Sequence, residues 1–162
     1  MVTRIEYVAS LFRLLVPTPD SVTVTSPRPG ELVASAADGE MGMLMGKQAR
    51  NCLAVRHLAE RKFMDRVHIY IASKPPGVTA CRPTEPREWT QADQDELIAV
   101  FSSTVREVFP SASWGCALEI GSTEFFFTTP LQPDDLAALH ILFRAHGNVV
   151  GRRINVINGA VK

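Results

Sequence analysis

The chain has 162 residues, 46% hydrophobic and 21% charged, an ordinary globular composition that excludes a wholly disordered protein. Seventeen Lys and Arg balance seventeen Asp and Glu, so a uniformly basic nucleic-acid binder is excluded too. Apolar runs end after a few residues, far short of the roughly 20 that a membrane-spanning helix needs.

In chain order, Ile5, Val8, Phe12 and Leu15 recur at three- and four-residue steps and predict a first helix, which Pro17 and Pro19 stop. Arg4, Glu6 and Arg13 lie off that stripe, and their charges argue against a secretory leader. Val22 and Val24 alternate with Ser and Thr over residues 21–26, a strand with one buried face. Pro27-Arg28-Pro29-Gly30 turns the chain into a second strand at 31–36. An apolar stretch at 41–45 leads through Gly46-Lys47-Gln48-Ala49 into a helix over 50–63, with Cys52, Val55, Ala59 and Phe63 on one side. Val67, Ile69 and Ile71 alternate with polar neighbours over 66–72, a closing strand.

Residues 73–89 hold four of the eleven prolines and no apolar period, which predicts an extended connector at 74–88. A second module then repeats the order. Thr90 with Asp93 resembles a capping box before a helix carrying Leu97, Phe101, Val105 and Val108. Residues 114–120 and 123–129 form a hairpin around Gly121-Ser122, with Phe125, Phe126 and Phe127 on both faces. Pro133 with Asp134 and Asp135 starts a last helix, striped by Leu136, Leu139 and Phe143 and ended by Gly147. A strand at 154–157 closes the chain. Corresponding elements sit about 85–95 residues apart, the signature of an internal repeat.

Net neutrality hides a local imbalance. Residues 47–66 carry six basic side chains against Glu60 and Asp65, and this stretch is either a nucleic-acid footprint or a solvated helix face. Cys52, Cys81 and Cys116 are odd in number and widely spaced, which fits neither a disulfide framework nor zinc and predicts a reduced cytoplasmic protein. The alternation of Met41, Met43 and Met45 suits a short packed helix rather than a sulfur metal site. His57 and His68 are expected at the surface or on a sheet face, and His140 and His146 beside the last helix. None has partners at metal-ligand spacing, no cofactor is expected, and no Cys-His set predicts catalysis.

Glu40-Met41-Gly42, the short apolar stretch, Gly46-Lys47-Gln48-Ala49-Arg50, and then Cys52, Val55 and Arg56 in register, resemble the heart of a type II K-homology (KH) domain. The likeness is strongest to the small bacterial single-KH RNA-binding proteins and spans residues 2–72. It implies an α+β fold with a KH-like αββααβ domain at 1–73, followed by the connector and an αββαβ module at 89–162, a degenerate repeat. It also implies non-enzymatic binding of single-stranded RNA, or of single-stranded DNA by the same chemistry. In that family a Gly-x-x-Gly loop lets phosphates approach the backbone at a helix's positive end, with bases laid in an apolar groove. Carried onto this chain, the site is Gly46, Lys47, Gln48, Ala49, Arg50 and Arg56, with Leu44, Met45 and Val67 lining or supporting the groove. The second loop glycine of the family is Ala49 here, and Met43 stands where a lysine is common. The competing expectation is a protein-interaction scaffold that kept the architecture and lost nucleic-acid contact. The second module is expected to modify binding, recruit a partner protein or self-associate.

Overall fold

The Thr3 hydroxyl accepts from the Glu6 backbone N–H at 3.1 Å, and the Glu6 carboxylate accepts from the Thr3 N–H at 3.2 Å. This capping box starts helix α1 (Arg4–Arg13) in a computed structural model that describes residues 3–37, 39–72 and 88–159. The buried side of α1 is Tyr7, Val8, Leu11 and Phe12, continued by Leu15, whereas Ile5 faces outward. Its apolar stripe is therefore turned toward Tyr7 and Leu11 relative to the expected one. Strands β1 (Thr23–Arg28) and β2 (Glu31–Ser35) pair antiparallel across the turn at Gly30. The short helix α2 (Met41–Met45) buries Met41 and Leu44, and a single 3₁₀ turn (Lys47–Ala49) leads into α3 (Arg50–Phe63). Strand β3 (His68–Ile71) then lies parallel to β2, with Leu32 opposite Ile69. The first half thus has the expected αββααβ order.

In the second half, a capping box of Thr90 and Asp93 starts α4 (Gln91–Val108) as expected. Strands β4 (Trp114–Glu119) and β5 (Ser122–Phe127) form the hairpin, and α5 (Pro133–Val150) leads to β6 (Arg153–Asn158). The sheet again has one antiparallel and one parallel pairing, in the order β4-β5-β6. The class is α+β, with two three-stranded sheets of identical topology. The connector expected at 74–88 and Cys81 lie outside the described residues, except for Glu88.

Gly147 does not end the last helix. The helix runs on to Gly151, whose φ of 78° caps it in the left-handed conformation. Gly147 lies inside the helix, at a position where a Cβ would sit 2.2 Å from the Arg152 carbonyl oxygen. The Phe run divides by the period of the strand. Phe125 and Phe127 are fully buried, and Phe126 crosses the outer face onto its cross-strand partner Gly115, where any Cβ would meet the ring at 2.6 Å.

Phe101 organises the core of the second half. Its ring stacks on Phe125 at 3.8 Å and meets Trp114 and Phe143 edge-on, each at 4.9 Å. Trp89 enters this half through a hydrogen bond from its indole N–H to Gln94, which also accepts from Thr123 and donates to the Cys116 sulfur. The Arg152 guanidinium lies over the Trp89 ring and donates to the carbonyls of Glu119 and Ser122.

The halves join through their helices, with α3 packed on α5 and α4, so that a single buried cluster extends from one half into the other. Polar ties fix the join. Asp135, 3% exposed, accepts from Arg61 at 3.0 Å and contacts the His57 ring nitrogen at 2.7 Å. Lys62 pairs with Glu107, and the His146 ring donates to the Leu14 carbonyl at 2.8 Å. His57, expected at the surface, is thereby part of the join, while His68 is exposed as expected. Among the described residues, no helix is long and apolar enough to cross a membrane.

Candidate nucleic-acid interface

The segment between α2 and α3 has an unusual backbone. Gly46 takes φ 72° and ψ 174°, and Gln48 and Ala49 are both left-handed, at φ 57° and 60°. For a residue with a Cβ this conformation costs roughly 1–2 kcal/mol, so the loop keeps a glycine-type shape at Ala49 in spite of the methyl group. The Gly46 N–H donates to the Gly42 carbonyl at 2.8 Å, and the Ala49 N–H donates back to the Gly46 carbonyl at 3.2 Å. Asn51 closes the arrangement. Its side-chain amide donates to the Met43 carbonyl at 2.8 Å, and the same side chain fills the space beside Gly46, where a Cβ would come within 2.6 Å of Asn51 Cγ. Gly46 is therefore required twice, for its positive φ and for the room that Asn51 occupies.

What this geometry leaves open is the start of α3. No side chain among the described residues caps it, and its first turn contains no carboxylate. The helix's partial positive charge is unneutralised there, and Lys47 and Arg50 add two exposed cations that form no ion pair among the described residues. Gln48 is exposed beside them, Ala49 is half-buried, and Met45 is 37% exposed at the end of α2.

The other expected site residues are placed differently. Leu44 and Val67 are fully buried, so a ligand cannot reach them, and they support the surroundings from within the core. Val67 borders a separate cleft of about 200 Å³ between the start of α1 and the β1–β2 turn, none of whose described lining residues belongs to the loop. Arg56 lies further along α3 and donates to Glu60 at 3.3 Å, while the other Glu60 oxygen accepts from the Val67 N–H. The basic stretch is thus split: Arg61 and Lys62 are spent on the second half, Arg56 is paired within its own helix, and Lys47, Arg50 and Arg66 have no ion pair among the described residues.

The groups considered for other chemistry are engaged in structure. Burial pushes the thiols of Cys52 and Cys116 above the ordinary range, which keeps them protonated and poorly nucleophilic. His140 Nδ1 accepts from the Val156 N–H at 3.1 Å and so links α5 to β6. No group of three or more His, Cys, Asp or Glu suited to a metal ion occurs among the described residues.

Sequence reasoning missed Asn51, and it missed the Asp135 site altogether. The sequence pattern reads Asp135 only as an acidic residue at the start of α5, whereas it is buried against the cations of α3. An Asn just inside the helix that follows Gly46 was the available sign of the first. The second joins residues 74 and 78 positions apart, for which no local pattern exists.

No family model matches the chain. No curated protein matches it either. Among solved structures, the crystal structure of APE1850 aligns with 94% of this chain and 95% of its own, at 12% identity and a TM-score of 0.26. At that TM-score the likeness carries nothing about fold or function.

Proposed function

We propose that the chain is a non-enzymatic, cytoplasmic protein that binds single-stranded RNA through its Gly46–Arg50 segment, in the manner of a type II KH domain, with the second half modulating binding or recruiting a partner. The observation that carries this reading is the backbone at Gly46, Gln48 and Ala49, all at positive φ, directly before a helix start that has neither cap nor carboxylate. Such a segment lets a phosphodiester approach the main chain closely. The helix's positive end, Lys47 and Arg50 supply the charge, and Met45 offers apolar surface beside it. The αββααβ order supports the same reading, since it places this segment at the exposed junction of two helices rather than at a sheet edge. Sequence preference is outside what the loop encodes, because these contacts address the backbone rather than the bases.

The test is fluorescence anisotropy of a labelled mixed-sequence RNA of about 10–12 nucleotides, long enough to cover the roughly four nucleotides such a loop clamps. Three or four phosphate contacts predict a log–log salt slope of roughly −2 to −3. The double variant Lys47→Asp/Gln48→Asp should remain folded, since both side chains are exposed, and should lose binding. Undiminished binding by the folded double variant would move the site elsewhere. Absence of binding by the unmodified chain would favour the scaffold instead.

A further inference from the structure

A cleft with an apolar lining lies away from the loop. It lies between α1 and α4, the leading helices of the two halves, and has a volume of about 560 Å³. A smaller cleft of about 240 Å³ continues it, sharing Leu14, Glu96 and Val100. The far end of α1 (Arg13, Leu14) meets the beginning of α4 (Asp93, Glu96) in the smaller cleft, while Tyr7, early in α1, feels the Glu107 carboxylate late in α4. The two helices therefore run antiparallel along one continuous groove.

The lining of this groove has three parts. Its accessible apolar surface is Leu14 and Val100, above the buried Tyr7 and Leu11. Ser10 on one wall and Ala99 and Ser103 on the other are small and exposed, so a backbone can approach closely between the walls. In the larger cleft the charge is of one sign, since its described lining residues include Glu6, Glu96 and Glu107 and no Lys or Arg, while Arg13 faces Asp93 and Glu96 in the smaller one. Lys62 pairs with Glu107, which leaves Glu6 on α1, whose carboxylate also accepts from the Thr3 N–H, and Glu96 on α4 without an ion pair among the described residues. Glu96 makes no hydrogen bond or ion pair among the described residues.

A buried polar group in the same cleft is also unsatisfied. Tyr7 is 98% buried, and its hydroxyl has no hydrogen-bond partner among the described residues. Burial and the nearby Glu107 hold its ionisation far above the usual range, so it stays a phenol able to accept from a cationic donor.

We infer that the α1–α4 groove is a docking site for a basic amphipathic helix of a partner protein, its apolar stripe on Leu14 and Val100 and its Lys or Arg side chains on Glu6 and Glu96. Carboxylates on both walls select cations on both flanks of a stripe, which is the pattern of such a helix. The ten residues of α1 set a groove about 15 Å long at 1.5 Å per residue, or roughly three turns of a bound helix. Nucleic acid is disfavoured here by charge, so this surface is separate in kind from the Gly46–Arg50 segment and does not depend on the reading given to it.

The test uses the full chain and a fluorescein-labelled synthetic helix of about 14 residues, long enough for a groove of this length, with Leu at helical spacing and Lys on both flanks. A twin carries Glu in place of Lys. Two exposed positions provide variants that leave the core untouched: Ala99→Trp fills the groove, and Glu96→Lys reverses its charge. The expected result is saturable, salt-sensitive binding of the basic peptide, about tenfold weaker in each folded variant, and little binding of the acidic twin. Equal binding by the unmodified chain and both folded variants, equal binding of the acidic twin, or no saturation would overturn the assignment. So would a concentration-dependent dimer of the unmodified chain that Ala99→Trp abolishes, since the occupant would then be a second copy.

Discussion

Helix α3 begins after two left-handed residues, with no side-chain cap, no carboxylate in its first turn, and Lys47 and Arg50 exposed. Helix α5 holds the same place in the second half's topology, yet it begins with Pro133, Asp134 and Asp135. The positive end of any helix attracts negative charge, and the two halves meet that demand in opposite ways. At α5 the chain supplies its own carboxylate and then surrounds it with Arg61 and His57 from α3. At α3 no described side chain fills the position. One fold can thus turn the same feature into an internal fastening or leave it as an uncapped, exposed helix start, and the choice lies in two or three residues there.

Removing the fastening should have the largest effect. Asp135→Ala leaves Arg61 and His57 facing an apolar gap. Fully buried pairs cost roughly 3–5 kcal/mol when one partner is removed, but the half-exposed Arg61 can turn to water, so about 2 kcal/mol is expected. In urea melts the midpoint should fall with the slope unchanged. An unaltered midpoint would mean that the carboxylate serves the join only nominally.

The comparison sharpens at Ala49. Its left-handed φ should make Ala49→Gly stabilising by about 1 kcal/mol, or about 3 °C in Tm for a chain of this size, because the steric cost disappears. RNA affinity should be equal or higher in the same variant. A lower Tm would show that the methyl group is packed favourably enough to outweigh its strain.

A smaller effect follows from the two engaged histidines. Burial, with Arg144 second, lowers the pKa of His140, and burial lowers that of His146. A histidine whose folded pKa lies below the unfolded value of about 6.5 contributes fully above that value, and its contribution is lost as pH falls toward the folded value. Thermal melts from pH 7.5 down to 5.5 should therefore show a falling Tm, and His146→Gln should flatten the trend. A Tm that rises over that interval would contradict both assignments.

Much of the fold could be read along the chain because its signals are local. The box of Thr90 and Asp93, the stop at Pro17 and Pro19, and the alternation of Val67, Ile69 and Ile71 each concern residues a few positions apart. Gly147 misled for a physical reason: glycine is chosen equally for a positive φ and for a close backbone approach, and only the path of Arg152 separates the two. Ile5 misled because it and Tyr7 flank the same stripe, and the choice between them depends on where α3 lies. The loop was legible as residue types, whereas its left-handed backbone at Gln48 and Ala49 was not, since neither residue type announces that conformation. The groove between α1 and α4 was illegible, because it exists only once two helices far apart in sequence come side by side.

The unbroken buried cluster has a thermodynamic consequence for the loop. Val55 and Leu58 of α3 belong to the same cluster as Leu139 and Phe143 of α5, so neither half can open without exposing part of the other. Unfolding should be a single transition, and whatever grips the α3 start should protect the whole chain in proportion to its occupancy. Trp114, in edge contact with Phe101 in the second half, is a natural fluorescent witness. Its emission should report, during melting, the presence of a ligand on a loop that belongs to the other half.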